Sequence, residues 1–277
     1  MRTWFITGAS RGLGRAFTEA ALAAGDRVVG VARDVGPLDD LIAATDGRLV
    51  AYPLDVADRA AVLAGVRRVS DELGRLDVVV NNAGGALLGM VEEVTEEEAR
   101  AHLDVNFFGA LWVSQAVLPV LREQGSGHLL QVSSLGASGG FASTGLYSAG
   151  KAALDAVSEA LAMEVESFGV RVTILSPGGY ETGLFTKGLT QTAPHPAYDP
   201  LRAKLNEMWS GAEDFDPALA ADVVMRVVAL PDPPKRIILG GVAFDLTREM
   251  EAARAAEYAR WEELSRLGDR PNALHGQ

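Results

Sequence analysis

The sequence predicts a single α/β domain built on a doubly wound parallel sheet of about seven strands, with helices on both faces. Apolar runs of strand length alternate with longer segments of helical period over most of the 277 residues, without an internal repeat or a linker. Several runs, such as Leu76–Val80, are almost continuously apolar. Such strands are typical of a parallel sheet that helices cover on both sides, and sustained alternation favours one sheet over separate modules.

The strand and helix predictions follow the chain in order. The predicted strands are Thr3–Thr7, Arg27–Ala32, Leu49–Leu54, Leu76–Asn81, His128–Ser133, Val170–Leu175 and Arg236–Leu239. The predicted helices are Gly12–Ala24, Asp58–Leu73, Glu96–Arg122, Leu146–Ser167 and Pro217–Ala229.

Two regions depart from this alternation. Gly183–Asp216 is rich in proline and aromatic residues and too long for a simple connection, so a lid or substrate-binding loop is predicted there. Asp245–Leu267 has the pattern of one amphipathic helix, and Gly268–Gln277 is expected to fray. The chain therefore divides into a catalytic domain over residues 1–244 and a C-terminal helical extension over residues 245–277.

Composition and charge exclude several classes of protein. Asp and Glu (37) outnumber Lys and Arg (25), and the net charge of −12 disfavours nucleic-acid and membrane partners. The absence of cysteine excludes disulfide frameworks, iron–sulfur clusters and thiol nucleophiles. With no signal peptide or membrane-length apolar run, a cytoplasmic protein is predicted. No metal is predicted, because the histidines lack metal-ligand spacing: His102, His128, His195 and His275.

The first predicted strand ends in a glycine-rich turn that leads directly into a helix. Its sequence, Thr7-Gly-Ala-Ser-Arg-Gly-Leu-Gly14, has the spacing Gly-x3-Gly-x-Gly. Glycines allow the backbone to approach a pyrophosphate, which the N–H groups of a helix N-terminus can bind. A tight turn that binds nothing is the alternative, but a position after strand one favours nucleotide binding. The candidate phosphate-binding residues are Gly8, Ser10, Arg11, Gly12, Leu13 and Gly14.

Five motifs in this order resemble the short-chain dehydrogenase/reductase family, in its shorter subfamily. They are the glycine loop, Asn81-Asn-Ala-Gly84, Asn106, the Ser134-x12-Tyr147-x3-Lys151 pattern, and Pro177-Gly178. The resemblance covers about residues 3–240. It implies a Rossmann-type fold and an enzyme that transfers a hydride between a nicotinamide cofactor and a small carbonyl or alcohol substrate.

The candidate catalytic residues are Asn106, Ser134, Tyr147 and Lys151. Tyr147 and Lys151 stand four residues apart on a predicted helix and so share a face. A nearby ammonium favours the phenolate, so Tyr147 is predicted to act as general acid in reduction and general base in oxidation. Ser134 is predicted to bind the substrate oxygen. The resemblance implies that Lys151 also binds the nicotinamide ribose and that Asn106 holds a water between the lysine and solvent.

The end of the second strand indicates NADP(H) rather than NAD(H). Ala32 stands where an acidic residue would bind a ribose 2′-hydroxyl, while Arg33 and Arg11 suit a 2′-phosphate. A one-residue slip that placed Asp34 on the ribose would favour NAD(H) instead. The resemblance implies that Asp55 and Val56 lie at the adenine. It extends the cofactor-binding set to Asn82, Ala83, Gly84, Tyr147, Lys151, Pro177, Gly178, Tyr180 and Thr182.

Aromatic and soft apolar residues around the long loop predict an apolar substrate pocket for a medium-sized or bulky ketone or aldehyde. An equally weighted alternative is that they pack the loop onto the domain: Tyr180, Phe185, Tyr198, Met208, Trp209 and Phe215. The helical C-terminus replaces the glycine-rich end of tetrameric family members, which favours a monomer or homodimer. The alternative function is a non-catalytic NADP(H)-binding sensor, against which the intact Ser–Tyr–Lys group argues.

Overall fold

The computed structural model describes residues 1–211 and 213–269. In this part of the chain the strands are β1 (Thr3–Thr7), β2 (Arg27–Ala32), β3 (Leu49–Pro53), β4 (Val78–Asn81), β5 (Ala86–Leu88), β6 (Gly127–Val132), β7 (Val170–Pro177), β8 (Leu189–Gln191) and β9 (Arg236–Leu239). Seven of them form one parallel sheet in the order β3-β2-β1-β4-β6-β7-β9, and β5 pairs with β8 separately. The predicted α/β class and the seven-stranded sheet are confirmed.

Helices cover both faces of this sheet. They are α1 (Gly12–Ala23), α2 (Asp39–Ala44), α3 (Arg59–Leu73), α4 (Glu96–Leu103), α5 (Gly109–Gln124), α6 (Gly145–Val165), α7 (Asp199–Trp209), α8 (Pro217–Ala229), α9 (Gly241–Arg260) and α10 (Glu262–Ser265). Alternate residues of β1 enter opposite cores: Trp4 and Ile6 pack with α1 and α8, whereas Phe5 packs with α3 and α5. Burial on both faces explains why the central strands are apolar at nearly every position.

The strand order reverses between β1 and β4, which leaves a crevice above their carboxyl ends. The two strand ends are joined by Thr7, whose hydroxyl donates to the carbonyl of Val80. The same hydroxyl oxygen accepts the backbone N–H groups of Asn82 and Ala83, at 2.9 Å and 3.0 Å. One buried side chain therefore fixes the loop after β4 against the loop after β1.

The predicted helix Glu96–Arg122 is interrupted by a single π-helical turn, Asp104–Phe108, which separates α4 from α5. Such turns occur often at functional sites, and this one carries the candidate residue Asn106. The combined segment Glu96–Gln124 is the one helix in the described residues that is long and apolar enough to cross a membrane by length and composition. Its residues Val113, Val117 and Leu121 are fully buried in the core that also contains Phe5, so packing inside the domain explains why these residues are apolar.

The segment between residues 183 and 216 was expected to be loop-like, and this expectation is wrong. It contains β8, which pairs in parallel with β5, and the eleven-residue helix α7. Leu201, Leu205 and Met208 have the i, i+4, i+7 spacing of a helix, but the prolines and glycine around them favoured the loop interpretation. We refer to residues 183–211 and 213–216 as the lid segment.

Glu93 attaches the lid segment to the rest of the domain. Its side chain is 1% exposed and accepts two hydrogen bonds from the Arg202 guanidinium, at 2.7 Å and 3.0 Å. It also accepts the backbone N–H groups of His195 and Met90, at 2.7 Å and 2.8 Å. The bond to Arg202 is the main reason that the pKa of Glu93 falls to about 2, although burial opposes the shift. This carboxylate therefore ties α7 to the turn before α4.

The C-terminal helix begins and ends earlier than predicted. Instead of Asp245–Leu267, α9 begins at Gly241 and ends at Arg260, and a short second helix follows. Apolar residues toward the C-terminus are exposed: Tyr258, near the end of α9, is 69% exposed, and Leu264, on α10, is 61% exposed. Its proximal half packs on the domain through Ala243 and Thr247, which are buried. Most of the end that was expected to fray, Gly268–Gln277, lies outside the described residues.

We expect Glu93→Gln to destabilise the protein in a pH-dependent way. Because the pKa of Glu93 is lowered, its contribution to stability is complete above about pH 4.5 and is lost as the pH falls toward 2. The thermal midpoint of the variant should lie a few degrees below that of the wild type at pH 7, and the difference should shrink toward pH 3. Amide hydrogen exchange in α7 should accelerate.

Glu97→Gln is the matched control, since Glu97 is exposed on the first turn of α4. It should leave both the midpoint and the exchange of α7 unchanged. Equal midpoints for Glu93→Gln and the wild type at every pH would show that this carboxylate does not hold the lid segment.

Candidate active site

The glycine loop connects β1 to α1 in a backbone path that only glycine fits. Gly8 and Gly12 have φ angles of +63° and +53°, in the left-handed region that other residues disfavour. A Cβ on Gly14 would lie 2.2 Å from the carbonyl oxygen of Gly8. The N-cap residue Arg11 makes no side-chain cap, so its side chain leaves the first N–H groups of α1 unoccupied. Backbone donors at a helix N-terminus form an anion-binding site.

A cleft of about 670 Å³ runs across the carboxyl ends of the strands from this loop. Sixteen of the sequence-predicted residues line it: Gly8, Ser10, Arg11, Gly12, Leu13, Arg33, Asp55, Val56, Asn82, Ala83, Gly84, Asn106, Tyr147, Lys151, Pro177 and Thr182. Residues from distant parts of the sequence therefore face one elongated cavity, as the family resemblance implies.

Four predicted residues do not line this cleft. Gly14 supports the loop from behind, and Ser134 lies beside Tyr147 at the inner end. Gly178 faces away, since a Cβ there would lie 2.8 Å from the Cβ of Ala243 on α9. Tyr180 forms a bridge with Phe215 of the lid segment. Its side chain packs against the core that contains Trp4 and Ile6, with the hydroxyl near Gly240, and its role as a cofactor contact stays a prediction.

The cleft also contains residues that the sequence did not single out as cofactor contacts. Lys187 and Thr186 line it from the lid segment, and Asp34 and Pro37 line it near Arg33. Lys187 could have been noticed as the cation that follows Thr182 within the long loop. The exact contact of a loop residue depends on how the loop is anchored, which the sequence pattern did not reveal.

Asn82 holds the glycine loop against the end of β4. Its side-chain amide donates to the carbonyl oxygens of Thr7 and Gly8, at 2.9 Å and 3.2 Å. The preceding Asn81 points into the core, where its amide bonds to Ala110, Ser114 and Gln131. The two asparagines therefore have different roles: one fixes the floor of the cleft, and the other fixes β4 to α5 and β6.

Tyr147 and Lys151 lie side by side on α6, one turn apart, and both are shielded from solvent. Burial raises the pKa of Tyr147, and a side-chain hydrogen bond from Ser134 lowers it in part. Burial lowers the pKa of Lys151 to about 8, and the nearby carboxylate of Asp155 opposes that shift. The lysine ammonium donates to the carbonyl oxygen of Val132 at 2.9 Å. The pKa of Tyr147 therefore lies above its usual value, against the expectation that the neighbouring ammonium would favour the phenolate, while the pKa of Lys151 lies below its usual value.

Ser134 begins the turn after β6. Its hydroxyl accepts the N–H of Gly136 at 3.0 Å, so the turn fixes the side chain. A Cβ on Gly136 would lie 3.4 Å both from Oγ of Ser134 and from Cε1 of Tyr147. This close packing brings Ser134 and Tyr147 together. Ser133 lines the cleft as well, and its buried hydroxyl has no hydrogen-bond partner among the described residues. The choice of Ser134 over Ser133 stays a prediction.

The substrate side of the cleft is less closed than the predicted apolar pocket. Phe141, on the loop before α6, packs edge-on against Trp209 at the end of α7, with ring centroids 6.0 Å apart. Trp209 is 47% exposed, and Phe185, Met208 and Phe215 are also exposed. Tyr198 donates to Glu92 and so belongs to the attachment of the lid segment. None of these side chains is among the residues that line the cleft, so their contact with substrate stays a prediction.

Comparison with known proteins agrees with these observations. The family model described as short chain dehydrogenase matches residues 2–192. The curated relative "Oxidoreductase BOA17" from Botryotinia fuckeliana is 39% identical, over 95% of this chain and 98% of the relative. The crystal structure of a short-chain dehydrogenase from Streptomyces avermitilis superposes with a TM-score of 0.91 at 41% identity, covering 97% of this chain and 100% of that one.

A solved alcohol dehydrogenase from Thermococcus sibiricus, complexed with 5-hydroxy-NADP, has a TM-score of 0.72 at 26% identity and covers 86% of this chain and 96% of that one. Further neighbours are complexes with NADP or with NAD. Fold, family model and relatives agree, and the chain belongs to the short-chain dehydrogenase/reductase family as a nicotinamide-dependent oxidoreductase.

Proposed function

We propose that this protein is an NADPH-dependent reductase that interconverts a ketone or aldehyde and the corresponding alcohol. The observation that carries the proposal is the arrangement along one cleft: Ser134, Tyr147 and Lys151 meet at its inner end, while Arg33 lines its outer end. A buried proton donor at one end and a cation at the other suit a phosphorylated dinucleotide that carries hydride.

The cleft fits such a cofactor on its own geometry. The open N–H groups of α1 and the bare backbone of Gly8 and Gly12 form a cradle, and a Cβ at either glycine would collide with Asn82 or Thr182. Arg11 and Lys187 add positive charge along the same cleft, which counteracts the net charge of −12. These residues would hold the phosphates, and Lys151 would face the ribose next to the reacting ring.

Tyr147 is placed to move the proton that reduction requires. When bound, the reduced nicotinamide supplies a hydride to the carbonyl carbon. The Tyr147 hydroxyl donates its proton to the carbonyl oxygen, so that hydride and proton together yield the alcohol, and oxidation reverses both transfers. Ser134 stabilises the charge that builds on the oxygen, and the Lys151 ammonium stabilises the phenolate left behind.

The preference for NADPH rests on the end of β2. Ala32 contributes no carboxylate for a ribose 2′-hydroxyl, and Arg33 is exposed beside the cleft. The competing residue, Asp34, already accepts the N–H of Gly36 at 3.0 Å. An Asp engaged in its own turn is poorly placed to bind a ribose, whereas an unoccupied guanidinium suits a phosphate.

We infer an apolar substrate of medium to large size. Phe141 and Trp209 pack together between the loop before α6 and the end of α7, and Phe185, Met208 and Trp209 of the lid segment are exposed. An apolar group packed on these side chains would remove them from water, which favours binding. The negatively charged protein surface disfavours anionic substrates that lack a local cationic site.

We expect Tyr147→Phe to abolish reduction while leaving cofactor binding intact. The substitution removes only the hydroxyl, so carbonyl turnover with NADPH should fall by at least about 100-fold. The dissociation constant for NADPH, measured by fluorescence titration, should change less than about threefold. Retention of more than a tenth of wild-type turnover would contradict the assignment of Tyr147 as proton donor.

We expect Arg33→Ala to weaken NADPH selectively. Loss of a charge-assisted contact to the 2′-phosphate should raise the KM for NADPH roughly tenfold and leave the KM for NADH within about twofold. Arg67→Ala, on the exposed side of α3, is the control and should change neither. A wild-type enzyme that prefers NADH, or an Arg33 variant that loses both cofactors equally, would overturn the proposed preference.

A further inference from the structure

His102 is a buried histidine beside the catalytic group that the proposed reaction does not use. It lies on α4, is 8% exposed, and its ring centroid is 6.0 Å from that of Tyr147. On its other side, a Cβ on Gly150 would lie 3.7 Å from Nε2 of the imidazole. The ring is therefore inserted between α4 and the part of α6 that carries Tyr147 and Lys151.

The contacts of Asn106 determine how this imidazole is used. Oδ1 of Asn106 accepts the backbone N–H of Gly85 at 3.2 Å, which identifies the carbonyl end of the amide. Its Nδ2 group then faces His102, 3.3 Å from Nδ1 and 3.0 Å from the carbonyl oxygen of the same residue. Because an amide Nδ2 can only donate, Nδ1 of His102 accepts, and the imidazole proton resides on Nε2, which has no hydrogen-bond partner among the described residues.

The orientation of this amide matters because Lys151 lies close to it. Oδ1 of Asn106 and Nζ of Lys151 lie 2.8 Å and 3.5 Å from the point where a Cβ on Gly84 would stand. The carbonyl end of the amide therefore occupies the same side of the cleft as the lysine. A carbonyl oxygen stabilises the ammonium, whereas a rotated amide would present its NH₂ group and destabilise it.

We propose that His102 is a positioning residue, which holds the Asn106 amide with its oxygen directed toward Gly85 and the Lys151 ammonium. This inference rests on the proposed function, because its consequence is expressed through Tyr147 and Lys151. His102 touches neither substrate nor cofactor in this account. It acts only through the orientation of Asn106.

The surroundings keep the imidazole in the form that this role needs. Burial, assisted by the positive charge of Lys151, lowers the pKa of His102 to about 4. The charged or titratable groups that face the pair are Tyr147, Lys151 and Asp155, all on α6. At working pH the imidazole is neutral, so Nδ1 stays an acceptor; a protonated ring would carry a second donor toward Nδ2 of Asn106.

The test compares His102→Phe, which removes the acceptor, with His102→Asn, whose carbonyl oxygen can stand near the position of Nδ1. The alkaline limb of the kcat profile for carbonyl reduction follows loss of a proton from the Tyr147–Lys151 pair, and burial lowers the pKa of Lys151 to about 8. In the Phe variant kcat should fall roughly fivefold to tenfold, and the limb should move to lower pH by roughly half a unit. The KM for NADPH should stay within about twofold, and the Asn variant should recover most of both effects.

A second readout uses the cofactor-free protein. The side-chain amide protons of Asn106, observed by NMR, should be protected from exchange in the wild type and in His102→Asn, and exchange faster in His102→Phe. His128→Phe is the matched control, because His128 is a buried histidine at the amino end of β6, away from the cleft. Its imidazole forms a hydrogen bond with Thr173. It should leave the pH profile and the Asn106 amide unchanged.

A pH profile and an Asn106 amide that are the same in His102→Phe and the wild type would overturn the inference. So would a His102→Asn variant that behaves like His102→Phe. If His102→Phe does not fold, His102→Gln takes its place, since its amide stands near Nε2 and should give no rescue. Absence of turnover in the wild type would refute the proposed function, and the NMR comparison would still decide the role of His102.

Discussion

The close approach of the glycine loop to Asn82 is the constraint on which the rest of the site depends. A Cβ on Gly8 would lie 2.9 Å from the Asn82 amide, and one on Gly14 would lie 2.5 Å from it. The amide spans this gap with two hydrogen bonds to backbone carbonyls. The loop after β1 is thereby held to the end of β4, which keeps the cleft open above the point where the strand order reverses.

The same edge of the sheet brings the catalytic side chains together. The carbonyl oxygen of Val132, at the end of β6, accepts a hydrogen bond from the Lys151 ammonium, and Ser134 begins the turn that follows this strand. Burial disfavours both the phenolate of Tyr147 and the ammonium of Lys151. The hydrogen bond from Ser134 offsets part of this cost for the phenolate, and the carboxylate of Asp155 offsets part of it for the ammonium. The strength of the proton donor therefore depends on these neighbours.

The sequence predicted the parts of this structure that local chemistry determines. Helix α8 was placed at Pro217–Ala229, its observed bounds, because Asp216 caps it and Pro217 begins it. The glycine loop and the Ser–Tyr–Lys spacing likewise identified most of the cleft. The π turn at Asp104–Phe108 has no such signal, because it adds no glycine or proline to the apolar periodicity. The structure of the lid segment was not predicted, because Glu93, far away in sequence, fixes this segment through Arg202.

Transfer of deuterium from NADPH labelled at C4 to a ketone or aldehyde distinguishes a reductase from a protein that only binds the cofactor. We expect the protein to yield alcohols with one deuterium on the former carbonyl carbon, most readily for bulky apolar substrates. Product analysis by mass spectrometry would detect this in a single turnover. Tight NADPH binding without label in any alcohol would contradict the assignment of the cleft as a reductase site and would favour a cofactor-binding sensor.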